Sequence, residues 1–282
     1  MKTVLTIEAE TLPHAWEQAI IELGATSQSI QTQYDQPGDP FSKDMPAVIS
    51  VTNPMAEPRV HLAMPGGFKD LWKYREEVVN GVHDHWCDPG SGKWSYTYHQ
   101  RFANYPDFYA DDPQRVQGHD QLATIAVQLA QAPFTRRAQA ITWIPRLDQY
   151  DSHPPCLQRV WFRVVDNKLN MHIHIRSNDA LKAGFMNMFA FTEIQADMAE
   201  RVSSFAQREI PVGTYIHIAD SWHIYGSDFQ HLTNFFQTLK MRDFQNRVCS
   251  TTDESFLLAK EEAIDELSKE RKLCSTTVCR SS

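Results

Sequence analysis

The sequence predicts an α/β (α+β) fold built around a central sheet. Strand-like and helical segments alternate along most of the chain, and the dipeptide Asp166-Asn167 has the form of a hairpin turn between two strand-like runs. The chain has 282 residues, 42% of them hydrophobic, so it can bury a large core. We expect one main domain at residues 1–245 and a helical appendage with a polar tail at residues 246–282.

In the first half of the chain, apolar residues at helical spacing predict a helix at 12–23. A short β-rich run predicts a strand at 47–52, which ends at an Asn-Pro turn. A second helix is predicted at 117–132, because its periodic pattern stops before a proline that cannot continue it.

The second half of the chain continues the alternation of strands and helices. One predicted helix is long and apolar enough to be buried, whereas the last is charged and amphipathic, as expected of a surface element. The predicted strands are 138–144, 160–165, 169–175 and 214–219, and the predicted helices are 185–205, 228–239 and 255–272.

Composition excludes several classes of protein. Lys and Arg total 27 against 35 Asp and Glu, a net charge of −8 that disfavours binding to nucleic acid phosphates. The chain contains no run of about 18 apolar residues, so we expect neither a membrane span nor a membrane partner. The five cysteines are an odd, scattered set, which favours reduced thiols in a cytoplasmic protein over a disulfide framework.

The first candidate site joins Cys156 to Arg176. Two prolines precede the cysteine and fix its backbone at a predicted strand entrance, although a lone cysteine there is more often a small buried hydrophobe. The paired strand ends at Arg176, followed by Ser177 and Asp179. An arginine near a thiol lowers the thiol pKa and offers a two-pronged anion site, and the alternative is a solvated turn.

Three further motifs are candidates for binding. Arg136 and Arg137 are either a phosphate clamp or a solvated pair. Asn187 lies among apolar residues of a predicted helix, where a buried amide would need partners. His223 and Tyr225 alternate just past a strand, so they point to one face and suit a sugar hydroxyl, unless they are only an amphipathic strand end.

Two His-x-His pairs invite a metal interpretation, one at residues 83–85 and one at residues 172–174. No ligand cluster with recognised zinc spacing accompanies either pair. We therefore predict no metal site.

Taken in order, these motifs resemble the motif series of the thymidylate synthase family. The resemblance is clear over residues 82–230 and absent beyond about residue 240. It implies a mixed twisted sheet with flanking helices, a homodimer packed sheet to sheet with shared active sites, and 5,10-methylenetetrahydrofolate as cosubstrate. The implied reaction adds a one-carbon unit to C5 of a pyrimidine nucleoside monophosphate.

The resemblance also implies a role for each candidate residue. Cys156 would add to pyrimidine C6 as a thiolate, and Tyr98 would order water in the site. The phosphate would be bound by Arg176 and Ser177 of one chain and by Arg136 and Arg137 of its partner. Asn187 would face the base, His223 and Tyr225 the sugar 3′-hydroxyl, and Asp179 and His83 the folate.

The chain departs from the family pattern at several points. Leu157 follows the nucleophile in place of a histidine, and His83 stands where the family has an indole in its folate pocket. The apolar segment that closes the family's site is replaced by the ending Cys-Arg-Ser-Ser at 279–282. Lys43 is the substitute expected for a phosphate-binding arginine, and the water-ordering glutamate is Glu77 or Glu76.

These departures bear on the product. In this family the nucleotide forms an intermediate with an exocyclic methylene at C5. Transfer of a hydride to this methylene gives a methyl group, and addition of water gives a hydroxymethyl group. A polar His83 and a missing closing segment favour water, so we expect a deoxyuridylate hydroxymethylase. The amide of Asn187 suits O4 and N3–H of uracil. The alternatives are a thymidylate synthase, a dCMP hydroxymethylase, or a catalytically inactive relative that binds nucleotide.

Overall fold

The computed structural model describes residues 3–26, 28–88, 94–108 and 116–278. The predicted polar ending at 279–282 lies outside these residues. The helices are α1 Leu12–Thr26, α2 Phe68–Asn80, α3 Tyr98–Ala103, α4 Gln121–Gln131, α5 Pro145–Asp148, α6 Gly184–Ala206, α7 Phe229–Met241 and α8 Glu254–Val278. The strands are β1 Leu5–Ala9, β2 Gln28–Ile30, β3 Ser42–Val51, β4 Val60–His61, β5 Tyr105–Phe108, β6 Val116–His119, β7 Gln139–Ile141, β8 Leu157–Val165, β9 Lys168–Ile175, β10 Asn178–Asp179, β11 Val212–Ile224 and β12 Val248–Cys249.

A mixed sheet lies at the centre, as the predicted α/β (α+β) class requires. Its strand order is β1-β3-β11-β9-β8-β7, with β2 added beside β3 and β10 beside β11. β1 runs parallel to β3 and β11 runs parallel to β9, whereas β3 and β11, β8 and β9, and β7 and β8 are antiparallel pairs. The sheet therefore combines parallel crossovers with hairpins.

The predicted hairpin between β8 and β9 is confirmed. Asp166 and Asn167 form its two-residue turn with φ of 49° and 59°, the left-handed conformation that a type I′ turn needs at both positions. Asp and Asn tolerate this conformation better than most residues. The turn places the start of β8 opposite the end of β9, with Leu157 paired to Ile175.

Helices cover one face of the sheet. Alternate residues of β9, including Met171, Ile173 and Ile175, are buried toward α6, and the residues between them are only half-buried on the opposite face. α1 joins the same layer through Trp16, whose Nε1 donates to the Ala180 carbonyl at 2.7 Å. The core thus lies between the sheet and this layer of helices.

The first part of the predicted helix at 117–132 is wrong. Residues Val116–His119 form β6, which pairs with β5, and the helix begins only at Gln121. Asp120 is the cause, because its side chain accepts a hydrogen bond from the backbone N–H of Ala123 and caps the helix.

Two helices frame the site region from outside the sheet. α2, which the sequence analysis did not predict, packs against α6 and α8. Phe256 and Ala263 of α8 are buried, and Glu266 of α8 forms ion pairs with Lys69 (2.9 Å) and Lys73 (2.5 Å) of α2. The predicted C-terminal helix therefore lies along the body of the protein, and the domain boundary near residue 245 stays a prediction.

In the part of the chain that the structure describes, no helix combines the length and the apolar character needed to cross a bilayer.

Candidate active site

Cys156 and Arg176 lie together where the β8–β9 hairpin opens. Cys156 is half-buried directly before β8, after Pro154 and Pro155. The Arg176 guanidinium donates from Nε to the Pro155 carbonyl (3.1 Å) and from Nη2 to the Pro154 carbonyl (2.7 Å). Its backbone N–H donates to the Cys156 carbonyl at 2.8 Å. The arginine therefore fixes the backbone that carries the thiol.

Two opposing effects act on the Cys156 thiol. Burial raises its pKa, and the positive charge of Arg176 lowers it, with burial the larger effect. The thiol is therefore mostly protonated at neutral pH without a ligand. A nucleophilic role requires that ligand binding or a proton acceptor shift this balance.

A cleft of about 560 Å³ lies beside this corner of the hairpin. Its walls include Tyr74 and Glu77 of α2, Tyr96 and Tyr98 at the start of α3, and His153 before the two prolines. Burial raises the pKa of both Tyr96 and Tyr98, so their phenols stay protonated and act as hydrogen-bond donors.

Tyr98 contacts Leu157, the residue directly after Cys156. Thr97 caps α3 by accepting a hydrogen bond from the Gln100 backbone N–H, which starts the helix at Tyr98. The Tyr98 hydroxyl oxygen then accepts from the backbone N–H of Leu157 at 3.2 Å. The Tyr98 phenol also forms a hydrogen bond with the Tyr96 phenol. The Tyr98 hydroxyl is thus hydrogen-bonded to the residue next to Cys156 in the sequence.

Asn187 is buried in the first turns of α6, with 5% of its surface exposed. Its Oδ1 accepts a hydrogen bond from the Tyr74 hydroxyl at 2.5 Å, and its Nδ2 donates to Oδ1 of Asn178 at 2.7 Å. Asn178 Nδ2 in turn donates to the Asp179 carbonyl at 3.2 Å. The partners that a buried amide needs are therefore present.

Asp179 and His223 are register partners on β10 and β11. Oδ1 of Asp179 accepts hydrogen bonds from the backbone N–H groups of Leu181 (3.0 Å) and Lys182 (2.8 Å). Burial raises the pKa of Asp179, and the Lys182 hydrogen bond opposes this only in part. The carboxyl group is held rigidly at the end of the loop before α6.

His223 has a defined tautomer. The Ser221 hydroxyl donates to Oδ2 of Asp44 at 2.8 Å, so it accepts from Nδ1–H of His223 at 3.0 Å. This leaves Nε2 of a neutral ring as an acceptor. The ring meets Tyr225 edge to face with centroids 4.7 Å apart, and burial raises the pKa of Tyr225 to about 12. The pair offers an acceptor beside a donor.

Glu77, which lines the cleft, forms a polar pair with His83. Oε2 of Glu77 lies 2.9 Å from His83 Nδ1, and burial raises the pKa of Glu77. The His83 ring stacks on Trp86 at 3.9 Å with an interplanar angle of 9°. Among the residues that the structure describes, its buried Nε2 has no hydrogen-bond partner, and it lies 3.6 Å from Oε2 of Glu270 on α8. The imidazole therefore joins the cleft to the C-terminal helix.

The structure distinguishes the two glutamates proposed for ordering water. Glu76 forms an ion pair with Arg75 (2.9 Å) and accepts a hydrogen bond from Asn80 (2.6 Å). Glu77 lines the cleft, and Glu76 does not.

The arginine doublet lies away from the thiol of its own chain. Arg136 and Arg137 are exposed in the loop before β7, and the Arg136 carbonyl accepts from Nε1 of Trp161 at 3.1 Å. Trp161 is five residues along β8 from Cys156. Within one chain, the structure does not bring this doublet to Arg176.

The two remaining phosphate candidates differ in position. Ser177 is half-buried between β9 and β10, directly after Arg176. Lys43 lies on β3, and its Nζ donates to the Gly24 carbonyl at 3.0 Å. Burial lowers the pKa of Lys43. Lys43 is thus held at the end of α1.

The sequence analysis missed Tyr74. A signal was available: Tyr74 precedes Glu77 by three residues, which is one helical turn, and Gly81 after this segment adopts φ of 63° as a helix C-cap. Recognising the helix would have placed Tyr74 and Glu77 on one face.

Comparisons with known proteins agree on one family. The family model described as thymidylate synthase matches residues 69–255. A protein of Methanocaldococcus jannaschii named "Putative thymidylate synthase" is 29% identical over 239 residues, which cover 83% of this chain and 96% of that protein. A protein of Methanosarcina barkeri with the same name is 25% identical, over 81% of this chain and 93% of that protein.

A solved structure also resembles the chain. Thermostable thymidylate synthase A from Bacillus subtilis superimposes with a TM-score of 0.58 at 18% identity, over 80% of this chain and 84% of that one. At this identity the similarity concerns the fold, a mixed sheet with flanking helices.

Proposed function

The chain belongs to the thymidylate synthase family, and from this premise we propose that it transfers a one-carbon unit from methylenetetrahydrofolate to C5 of dUMP, with 5-hydroxymethyl-dUMP as product. The observation that supports the transfer is the corner of the β8–β9 hairpin. There Cys156 is held by Arg176 and lies next to Tyr98 and the cleft.

Cys156 is the proposed nucleophile. Its sulfur forms a bond to C6 of the pyrimidine, the electrons of the C5–C6 double bond move toward O4, and C5 becomes nucleophilic. The phosphate of the nucleotide binds near Arg176 and Ser177. A free thiolate is disfavoured by burial, so the thiol loses its proton only when the substrate is in place.

Asn187 is the proposed reader of the base. Its amide keeps one Nδ2 hydrogen and one Oδ1 lone pair beyond its bonds to Tyr74 and Asn178. A donor and an acceptor side by side match O4 and N3–H of uracil. The donor also stabilises the negative charge that develops on O4. His223 and Tyr225 are proposed to bind the 3′-hydroxyl of the sugar.

The residues around His83 fit a planar heteroaromatic cosubstrate. Trp94 is 41% exposed at the cleft wall, and it meets the stacked His83 and Trp86 rings edge to face. Asp179 supplies a buried carboxyl group that suits the N–H groups of a pterin. When bound, methylenetetrahydrofolate supplies the one-carbon unit and, for a methyl product, the hydride.

The Glu77–His83 pair favours water over hydride as the final donor to the C5 substituent. The Glu77 carboxyl group in the cleft wall, with the His83 imidazole beside it, is suited to binding water where an indole would exclude it. Because burial raises the pKa of Glu77, its carboxyl group is suited to exchanging a proton with that water.

The product decides between this proposal and the second candidate, a thymidylate synthase, which the names of the relatives favour. The enzyme is incubated with dUMP and methylenetetrahydrofolate in ¹⁸O-labelled water. We expect a product with one labelled oxygen and no rise in dihydrofolate absorbance. Formation of dTMP with one equivalent of dihydrofolate would establish the second candidate and reject hydroxymethylation.

We also propose a homodimer packed sheet to sheet. The sheet face opposite the helices carries half-buried side chains, including Trp161, His172 and Ile216. A partner on this face would cover them and would bring its Arg136 and Arg137 toward the nucleotide phosphate. The nucleophile and the doublet lie apart within one chain, which supports a shared site.

A further inference from the structure

The amide of Asn187 lies within a series of hydrogen bonds whose direction is set by a backbone carbonyl. The Asp179 carbonyl can only accept, so it takes a hydrogen from Nδ2 of Asn178 at 3.2 Å. Oδ1 of Asn178 must then point the other way, where it accepts from Nδ2 of Asn187 at 2.7 Å. Oδ1 of Asn187 accepts from the Tyr74 hydroxyl at 2.5 Å.

Reversing this series of hydrogen bonds is costly at its Asn178 end. If Asn178 rotated its amide by 180°, its oxygen would face the Asp179 carbonyl and two acceptors would meet. The chain is also shielded from water, since Asn178 is 2% exposed and Asn187 is 5% exposed. Buried polar groups without partners are strongly disfavoured, so a single orientation of both amides is retained.

The phenol of Tyr74 holds the other end. Burial raises the pKa of Tyr74 well above its ordinary value, so the hydroxyl stays protonated and donates to Asn187. Tyr74 lies on α2 and Asn187 on α6, two helices that pack against each other. The distance between these helices therefore sets the position of the amide.

Amide orientation has a direct meaning for pyrimidine recognition. Uracil presents an acceptor at O4 and a donor at N3–H, whereas cytosine presents a donor at N4 and an acceptor at N3. One orientation of a carboxamide matches the first pattern and the opposite orientation matches the second. An amide that is free to rotate would serve both bases.

We propose that Tyr74 and Asn178 are positioning residues that lock the Asn187 amide in the orientation that reads uracil and rejects cytosine. This rests on the proposed function, in which Asn187 faces the base of dUMP. The two residues act through Asn187 and need no contact with the nucleotide for this effect. Discrimination between uracil and cytosine thus depends on Tyr74 and Asn178, which orient Asn187.

The test compares base discrimination in matched variants. Tyr74→Phe keeps the ring and removes the donor, and Tyr215→Phe is the control, because that buried phenol pairs with His217 instead of Asn187. The ratio of kcat/KM for dUMP to that for dCMP is measured, together with nucleotide dissociation constants in a Cys156→Ser background. We expect Tyr74→Phe to lower the ratio at least tenfold and Tyr215→Phe to leave it within about threefold.

A second variant tests the other end of the chain. Asn178→Asp, protonated in this buried position, can still donate to the Asp179 carbonyl and accept from Asn187, so discrimination should persist. Asn178→Leu removes both functions and should lower the ratio as Tyr74→Phe does. Thermal unfolding of each variant confirms that the protein is folded.

The outcomes separate this inference from the proposed function. If Asn187→Ala abolishes discrimination while Tyr74→Phe and Asn178→Leu retain it, the amide reads the base without the lock, and the positioning role is rejected. A fall in kcat with an unchanged ratio rejects it in the same way. If the unmodified enzyme neither turns over dUMP nor forms an adduct with 5-fluoro-dUMP, the proposed function itself fails.

Discussion

His83 Nδ1 lies 2.9 Å from Oε2 of Glu77, so an imidazole on the loop after α2 is joined to a carboxyl group in the cleft wall. The same imidazole stacks on Trp86 and approaches α8. A site that stays dry would present a hydrocarbon or indole surface at this position. The proposed hydroxymethylation places its water beside this pair.

Replacing His83 tests this point. His83→Trp should raise the methyl fraction of the product, since an indole excludes the water that His83 and Glu77 bind. Mass analysis of the product from dUMP gives the fraction directly. His85→Trp on the same loop is the control and should leave it unchanged. An unaltered fraction in His83→Trp would place that side chain outside the reaction.

Cys156→Ser should abolish turnover and leave dUMP binding within about tenfold. An alkoxide is far harder to form than a thiolate at neutral pH, whereas the two side chains are nearly the same size. Covalent trapping with 5-fluoro-dUMP and methylenetetrahydrofolate, followed by intact-protein mass spectrometry, shows whether the sulfur reacts. Cys87→Ser and Cys249→Ser should form the adduct normally. An adduct in the Cys156 variant would assign the chemistry to another residue.

Mixed dimers test the shared site. A chain with Cys156→Ser and a chain with Arg137→Ala are each expected to be inactive, because each lacks one half of every site. Subunit exchange between them should restore activity, since the heterodimer contains one complete site. Native mass spectrometry verifies the exchange. Lack of recovery after verified exchange would show that the arginines act within their own chain.

Asn187→Asp should move the base preference from dUMP toward dCMP. A carboxyl group accepts from the cytosine amino group and offers no amide donor to O4, a change of about 1–3 kcal/mol in a buried site. The ratio of kcat/KM for the two nucleotides measures the effect. The same ratio in both proteins would mean that Asn187 does not contact the base.

A buried ion pair predicts how stability depends on pH. Glu17 accepts from Arg247 at 2.7 and 2.8 Å and lies 2.9 Å from His61. Burial alone would raise the pKa of Glu17, but the hydrogen bonds from His61 and Arg247 outweigh it and hold the pKa below 4.5. The stabilisation is therefore present above pH 4.5 and is lost as the pH falls through the lower folded pKa.

Urea unfolding of Arg247→Met measures this stabilisation. At pH 7 the free energy of unfolding should fall by roughly 3–5 kcal/mol, because a buried carboxylate loses its main partner. The difference from the unmodified protein should shrink as the pH falls through the lowered pKa of folded Glu17, because the residue is then protonated in both proteins. Arg201→Met breaks a half-exposed pair with Asp197 and should cost no more than about 1 kcal/mol. Equal effects of the two substitutions at pH 7 would contradict the argument.

Local chemistry explains which parts of the fold could be predicted. The Asp166-Asn167 turn depends on two adjacent residues, so the hairpin and the approach of Cys156 to Arg176 followed from short sequence patterns. By contrast, α2 has apolar residues at helical spacing, but about half of its residues are charged, so its overall hydrophobicity is low. A helix with that composition resembles a solvated segment in the sequence.

The candidate site shows the same limit. Motifs identified Cys156, Arg176 and Asn187, whose chemistry is visible in the residue type. The partners of Asn187 could not be found this way, because Tyr74 is 113 residues away and contacts it only through the packing of α2 on α6. Which of Glu77 and Glu76 lines the cleft likewise depends on the rotation of α2 about its axis, and only the packing of the helices determines that rotation.

α2 makes two sets of contacts: Tyr74 and Glu77 line the cleft, while Lys69 and Lys73 form ion pairs with Glu266 of α8. The outer surface of the protein is thereby connected to the wall of the site through a single rigid element. We therefore expect substitutions on α8 that displace α2 to move Tyr74 and Glu77 as well, although neither residue is itself changed.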